Sequence, residues 1–146
     1  MHRFFVPPET LVGRQRVTLS GDLAHQLGRV LRLRPGERIL LLDDSGLAYE
    51  AELEEIGSRQ ATARLLRAYV PDTEPRTRLI LYQALPRGDK MDFVLQKNTE
   101  LGAAAFAPLI AERCAARDAQ VGVQRLARWR RIIQEAAEQA GRARLP

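Results

Sequence analysis

The stretch Leu85–Pro108, LPRGDKMDFVLQKNTELGAAAFAP, reads as the turn of one β-α-β unit with its punctuation in place. Leu79–Leu85 is an apolar, strand-like run that Pro86, Arg87 and Gly88 stop. Asp89 is placed to cap a helix whose third residue is the acid Asp92, and Gly102 stands just past Leu101, where a helix end favours a left-handed residue. A second apolar run, Ala103–Ile110, follows at once. At the helical period Met91, Val94, Leu95 and Leu101 share an apolar face, while Gln96, Lys97 and Glu100 gather on the other.

The rest of the chain is of ordinary globular make. Its 146 residues are enough for one domain or two small ones, and 45% hydrophobic with 28% charged residues excludes a disordered chain. No apolar run approaches the roughly 20 residues that span a bilayer, and Met1–Thr10 lacks a basic-then-apolar signal pattern, so a cytoplasmic protein is expected. A single cysteine, Cys114, excludes internal disulfides, and His2 and His25 alone give no structural zinc spacing, so no metal is expected. Cys114 reads as a small buried hydrophobe.

The formal charge of +5 suits a polyanionic partner. Only Lys90 and Lys97 are lysines among the 23 basic residues, a bias that genomic base composition alone can produce. The count through Pro71 is 10 basic against 9 acidic residues, and from Asp72 onward 13 against 9, so net charge names neither half as the binder.

The first half reads as a small β-rich module. Arg3–Val6 and Gln15–Leu19 are short strands, and Asp22–Arg32 is a helix with Leu23, Leu27, Val30 and Leu31 on one side. Arg34, Pro35 and Gly36 make a turn, Arg38–Leu42 a buried strand, Asp43–Gly46 a second turn, and Leu47–Leu53 and Gln60–Val70 two further strands. The pattern predicts a compact barrel. Glu50, Glu52, Glu54 and Glu55 read as a solvated face.

PDTEP, Pro71–Pro75, is a Pro-bounded connector, after which strand and helix alternate. The predicted domains are therefore residues 1–71 and 76–146, the second with parallel strands and right-handed crossovers. Its last helix, about Val123–Ala140, carries Leu126, Trp129, Ile132, Ile133, Ala136, Ala137 and Ala140 on one face, and Gly141 terminates it. Trp129 is read as core. Arg131 with Glu135 and Glu138 with Arg142 are spaced to pair on the outside.

Neither G-x-x-x-x-G-K-[ST], G-x-G-x-x-G, G-x-S-x-G nor H-E-x-x-H is present, which excludes a self-contained nucleotide or hydrolase site of those kinds. Residues with chemical potential are Lys97 and Glu100 on the first crossover helix, and Glu135, Gln139 and Arg142 near the end of the second. Lys97 and Glu100, three apart on a helix, equally make an ordinary exposed ion pair.

Two of these segments, GDKMDFVLQKNTELGAAAFAPLIAERC (Gly88–Cys114) and RWRRIIQEAAEQAGRARLP (Arg128–Pro146), resemble the core of the bacterial 16S rRNA uracil-N3 methyltransferases of the SPOUT superfamily. R-F-F-V at Arg3 and HQLGRVLRLRPGE at His25 are similar to the PUA-like RNA-binding domain of the same enzymes. The chain departs from the family at Asn98, where a small residue is usual and where the wheel puts a polar group inside the apolar face.

The resemblance implies an α/β fold overall: a small PUA-like β-barrel, then the start of an α/β SPOUT (trefoil-knot) domain truncated before the knot. It implies methyl transfer from S-adenosylmethionine to N3 of a uridine, with 16S rRNA or the small ribosomal subunit as partner and a homodimer in the complete parent. Arg3, His25, Arg29, Arg32, Arg34 and Arg113 would contact RNA, and Lys97, Glu100, Gln139 and Arg142 would border the active region. The family builds its cofactor pocket from a G-P-E-G-G loop and a later L-G-x-R-I-L-R-x-E-T-A segment, expected beyond Pro146, so the chain alone is expected to be inactive. Leu79, Ile80, Leu81 and Phe106 would then lie near an unpaired edge or an exposed apolar patch. A non-catalytic RNA-binding module and a small α/β ligand-binding protein are the alternatives.

Overall fold

The turn chemistry that opens the sequence reading sets the architecture of the second half in the computed structural model, which describes residues 1–112 and 121–146. Contacts divide the chain into two compact units, Met1–Asp72 and Thr73–Pro146. Arg113 and Cys114, read above as an RNA contact and a buried hydrophobe, lie outside the described residues.

In the first unit the strands are β1 (Arg3–Phe5), β2 (Arg16–Ser20), β3 (Arg38–Leu42), β4 (Ala48–Ile56) and β5 (Gln60–Tyr69). They hydrogen-bond in the order β1-β3-β4-β5-β2, with β1 parallel to β3 and the other pairs antiparallel. The expected barrel is a curled sheet, a half-barrel, with β1 and β2 at its ends and no ladder between them among the described residues. Pro7 and Pro8, which carry no N–H, stop β1 after three residues and remove the donors that further pairing would use. Irregularities in β4 at Glu50/Ala51 and Leu53/Glu55 bend that strand and increase its twist. Val17 and Leu19, Ile39 and Leu41, Ala51 and Leu53, and Ala61 and Ala63 recur at the strand period and form one core with Phe4, Leu11 and Leu27.

The predicted helix Asp22–Arg32 is shorter and less regular than its periodicity suggests. It is a short α1 (Asp22–His25) that runs into a π-helical turn, Gln26–Val30. Ala24 and Leu27 are buried, whereas Val30 is exposed. Gly28 is where this turn meets the sheet: a Cβ there would stand 3.0 Å from Ile56 Cγ2, so a side chain would push the turn away.

The glutamates of β4 are a correction. Glu50 is only 5% exposed and accepts hydrogen bonds from Arg38 Nη1 at 2.9 Å and Arg67 Nε at 2.7 Å. Glu52 pairs with Arg64 at 3.1 Å, and Glu54 with Arg16 at 3.0 Å. Register causes this, since Glu50 faces Arg67 and Glu52 faces both Arg38 and Arg64 across the ladder. The Arg67 hydrogen bond holds the Glu50 carboxyl below its usual range, against burial, which pushes it up; the Arg38 bond and both guanidinium charges add to the lowering. Glu55 alone of the four is exposed.

The second unit pairs β6 (Ile80–Ala84) with β7 (Ala105–Leu109) in parallel, joined by α2 (Lys90–Glu100) and followed by α3 (Val123–Ala140). Leu85, Met91, Leu95 and Trp129 are its buried cluster, with Val94, Phe106, Ile132 and Ile133 packed on it. Gly102 takes φ +94° past the end of α2, and a Cβ there would overlap Pro75 Cγ, so this position requires glycine twice over. Gly141 closes α3 at φ +78°.

Four details of this unit differ from the reading. Asp89 sits at the N-cap without a capping hydrogen bond, because its carboxylate lies toward Arg128 at 3.8 Å. Leu101 is 81% exposed because it follows the last helical residue. Leu126 and Ala140, at the two ends of the α3 stripe, are exposed as well. Asn98 resolves its polar position by donating Nδ2–H to the Val94 carbonyl at 2.8 Å, and its own carbonyl accepts from Ala103 N–H. Leu79 and Ile80 are exposed as expected, together with Tyr82, while Leu81 and Phe106 are half-buried.

Candidate functional site

The basic residues of the first unit fall into two populations. Arg16, Arg38, Arg64 and Arg67 are committed to the β4 glutamates. Arg3, His25, Arg29, Arg32 and Arg34, the residues that the resemblance assigns to RNA, form no side-chain ion pair among the described residues. Arg14 and Arg59 are likewise unpaired there, and the sequence reading did not single them out.

Backbone geometry explains how three of these arginines are displayed. Arg29 lies in the π-helical turn, and Arg32 follows it at φ +54°, in the left-handed region that non-glycine residues rarely adopt. Such strain costs about 1–3 kcal/mol and persists only where the surroundings enforce it. Here Leu31 N–H donates to the Gln26 carbonyl and Leu33 N–H to the Leu27 carbonyl, each at 2.9 Å, folding the chain back after the turn. Arg29, Arg32 and Arg34 stay exposed while Leu27 is buried beneath them, and Glu37 accepts the Arg34 backbone N–H, not its guanidinium. Neither the π turn nor the left-handed Arg32 has a sequence signal beyond Gly28. Arg3 stands on β1 opposite Leu40, and His25 is exposed at the end of α1.

In the second unit the four residues expected near the active region occupy three different settings. Lys97 Nζ donates to both Glu100 carboxylate oxygens, at 2.9 and 2.8 Å, on a half-exposed face of α2. Lys97 keeps a third N–H and each Glu100 oxygen a further lone pair, so a substrate group can join the pair without breaking it. Gln139 is exposed on α3 and its side chain makes no hydrogen bond among the described residues, and Glu135 pairs with Arg131.

Arg142 is the exception, at 4% exposure. Its Nε and Nη2 donate to Glu74 Oε2, at 3.3 and 2.8 Å, and Nη1 donates to the Ala103 carbonyl at 2.5 Å and the Thr99 carbonyl at 3.4 Å. Glu74 Oε1 accepts the backbone N–H groups of Ala143 and Arg144. Arg142 therefore ties the connector, the end of α2, the approach to β7 and the end of α3 together, and the expected pairing with Glu138 does not form. With four of its five N–H groups engaged and 4% exposure, its guanidinium positions the last turn of α2, where Lys97 and Glu100 stand, from the buried side. Burial pushes the Glu74 carboxyl up, but the Arg142 hydrogen bonds and charge and the two backbone N–H groups together hold it below the usual range.

Among the described residues no group of three metal-ligating side chains converges, and no helix is long and apolar enough to cross a membrane.

Comparison with known proteins bears on both units. A family model for an RNA methyltransferase domain matches residues 73–146, and one for an RNA methyltransferase PUA domain matches residues 19–66. Ribosomal RNA small subunit methyltransferase E of Synechocystis is 38% identical over 145 residues, 99% of this chain and 46% of that protein; the Bacillus subtilis protein of the same name is 28% identical over 149 residues, 100% and 58%. The chain thus spans about half the length of these relatives. A crystal structure of the Neisseria gonorrhoeae enzyme bound to S-adenosylmethionine superposes with a TM-score of 0.89 at 40% identity, over 100% of this chain and 59% of that one. A Legionella pneumophila putative methyltransferase with the same cofactor gives 0.83 at 31%, over 99% and 60%.

The clamp predicts an acid-sensitive second unit. Because the folded Glu74 carboxyl titrates below its ordinary value of 4.5, its contribution is complete above that value and is lost as pH falls through the depressed one. Trp129, the only tryptophan and buried in this unit, reports its unfolding. Arg142→Ala leaves the half-buried Glu74 carboxylate without its cation and the Thr99 and Ala103 carbonyls without their donor, and should cost about 3 kcal/mol at neutral pH, while Glu74→Gln should flatten the stability loss below pH 4.5. An unchanged acid limb in Glu74→Gln rules the clamp out as its source.

Proposed function

This chain belongs to the RNA methyltransferase family, and from that premise we propose that it serves the S-adenosylmethionine-dependent methylation of a uridine N3 in small-subunit ribosomal RNA. The observation that carries the proposal is the match of the methyltransferase model across 73–146, together with a first unit in which the unpaired Arg29, Arg32 and Arg34 stand on or just after one displayed turn. The whole protein is proposed to act as a cytoplasmic homodimer.

The chemistry asks for two things. N3 of uracil bears a weakly acidic imide proton, so its lone pair becomes nucleophilic as that proton leaves, and the negative charge that develops spreads onto the flanking carbonyl oxygens. A carboxylate can take such a proton and an ammonium can stabilise the charge, provided both are held within hydrogen-bond reach of the base. Lys97 and Glu100 supply that pair of groups at one place, on the helix end that Arg142 fixes. We assign them these roles in the proposed reaction. Gln139, exposed on α3, is the candidate to orient the base, and Arg142 acts through its hold on α2.

The cofactor is the methyl donor when bound. The G-P-E-G-G loop and the later arginine-containing segment that the resemblance associates with its pocket do not occur in these 146 residues, and no step is assigned to a cofactor contact here. The chain by itself should therefore bind the cofactor weakly. Calorimetric titration with S-adenosylmethionine is expected to give no saturable micromolar binding, and finding it would place the pocket within this chain.

RNA capture is assigned to the first unit and is electrostatic. Each phosphate neutralised by an arginine releases counterion, so the logarithm of the binding constant falls with the logarithm of salt at a slope set by the number of contacts. Replacing Arg29 and Arg32 together with alanine should weaken binding of small-subunit RNA and reduce that slope by roughly 1.5. A double variant with the wild-type slope would remove these two residues from the RNA interface.

A further inference from the structure

Phe93 is 65% exposed, at the centre of the side of α2 that faces away from the buried Met91, Leu95 and Thr99. One helical turn away on either side stand Asp89 and Lys90, and Gln96 and Lys97, so the aromatic ring is ringed by polar groups. Leu101, also exposed, lies two turns further on, about 12 Å along the axis. A lone aromatic in a polar ring is too small an apolar area to seat another protein surface, whose core is a contiguous apolar patch. It has the size and chemistry of a platform for one planar base.

The charge around it points the same way. The sequence has two lysines, and both fall on this face seven residues apart, with Phe93 between them. Lys90 forms no ion pair among the described residues, nor does Arg87 in the loop that leads into α2, whereas Lys97 is held by Glu100. Of the acids on this side, Glu100 is held by Lys97, and Asp89 has Arg128 at 3.8 Å. Lys90 on the first turn and Arg87 just before it thus carry positive charge that no acid pairs among the described residues, at the helix end whose dipole adds to it.

We propose that this face of α2 is a second RNA-contact surface, on which Phe93 stacks an unpaired base while Lys90 and Arg87 hold the adjoining phosphates. The proposal rests on the RNA-binding reading of the chain and adds to it a site in the second unit. Stacking on an exposed aromatic is tolerant of base identity and requires the base to be out of a duplex, so the surface selects single-stranded loops over helices. It places the recognised nucleotide on the same helix as the Lys97–Glu100 pair.

Fluorescence anisotropy with a labelled oligoribonucleotide carrying a single-stranded loop, and with a fully paired control, tests this on the 146-residue chain. Phe93→Ala should weaken loop binding about tenfold with an unchanged salt slope, because stacking releases no counterion, and Phe93→Tyr should restore it. Lys90→Ala should weaken binding and lower the slope by about one. Unchanged Trp129 fluorescence and sedimentation in each variant confirm that fold and association state are intact. The proposal is overturned by wild-type loop affinity in Phe93→Ala, by an equal loss on the paired control, or by a loss that tracks dissociation of a dimer. Wild-type protein that binds no RNA overturns the RNA-binding reading with it, whereas wild-type binding that Phe93→Ala leaves untouched overturns this site alone.

Discussion

A buried guanidinium needs oxygen partners for its nitrogens, and in the second unit each of the three nitrogens of Arg142 finds one, four hydrogen bonds in all from three separate segments. Glu74 in the connector and the carbonyls of Thr99 and Ala103 surround it, and the same glutamate closes on the backbone of Ala143 and Arg144. A parallel pair of strands with two helices has few hydrogen bonds between its elements, so a buried polar hub of this kind fixes the helix ends relative to one another. The turn at Gly102, pressed against Pro75, works from the other side of the same junction. The Lys97–Glu100 pair stands on the helix end that these contacts hold.

In the first unit the governing constraint is charge balance across a sheet. Cross-strand register delivers Glu50, Glu52 and Glu54 to four arginines, and those arginines are thereby withdrawn from any anionic ligand. Of the arginines that remain free, Arg29 and Arg32 lie on the π-helical turn and the left-handed residue behind it, with Arg34 next along the chain, while Arg3, Arg14 and Arg59 stand elsewhere on the unit. The net charge of the chain hides this division, because paired and free arginines count alike in it.

The sequence made the β-α-β unit legible because its signals are local: the proline stop at Pro86, the left-handed glycines Gly102 and Gly141, and the 3.6-residue stripe through Trp129. The β strands of the first half were legible at the two-residue period. Features set by distant partners were not. Glu50 reads as solvated because its arginines are 12 and 17 residues away, and helical spacing pairs Arg142 with Glu138 whereas its carboxylate lies 68 residues back. The π turn and strained Arg32 likewise follow from packing against the rest of the unit, for which Gly28 is the sole local hint.

The central claim is that RNA meets the free arginines and not the paired ones. Ultraviolet cross-linking of the chain to small-subunit RNA, followed by mass-spectrometric mapping of the adducts, addresses it directly. The account predicts nucleotide adducts on the His25–Arg34 segment and none on the strand segments that carry Arg16, Arg38, Arg64 and Arg67. Adducts concentrated on those strands, with the turn unmodified, would contradict it.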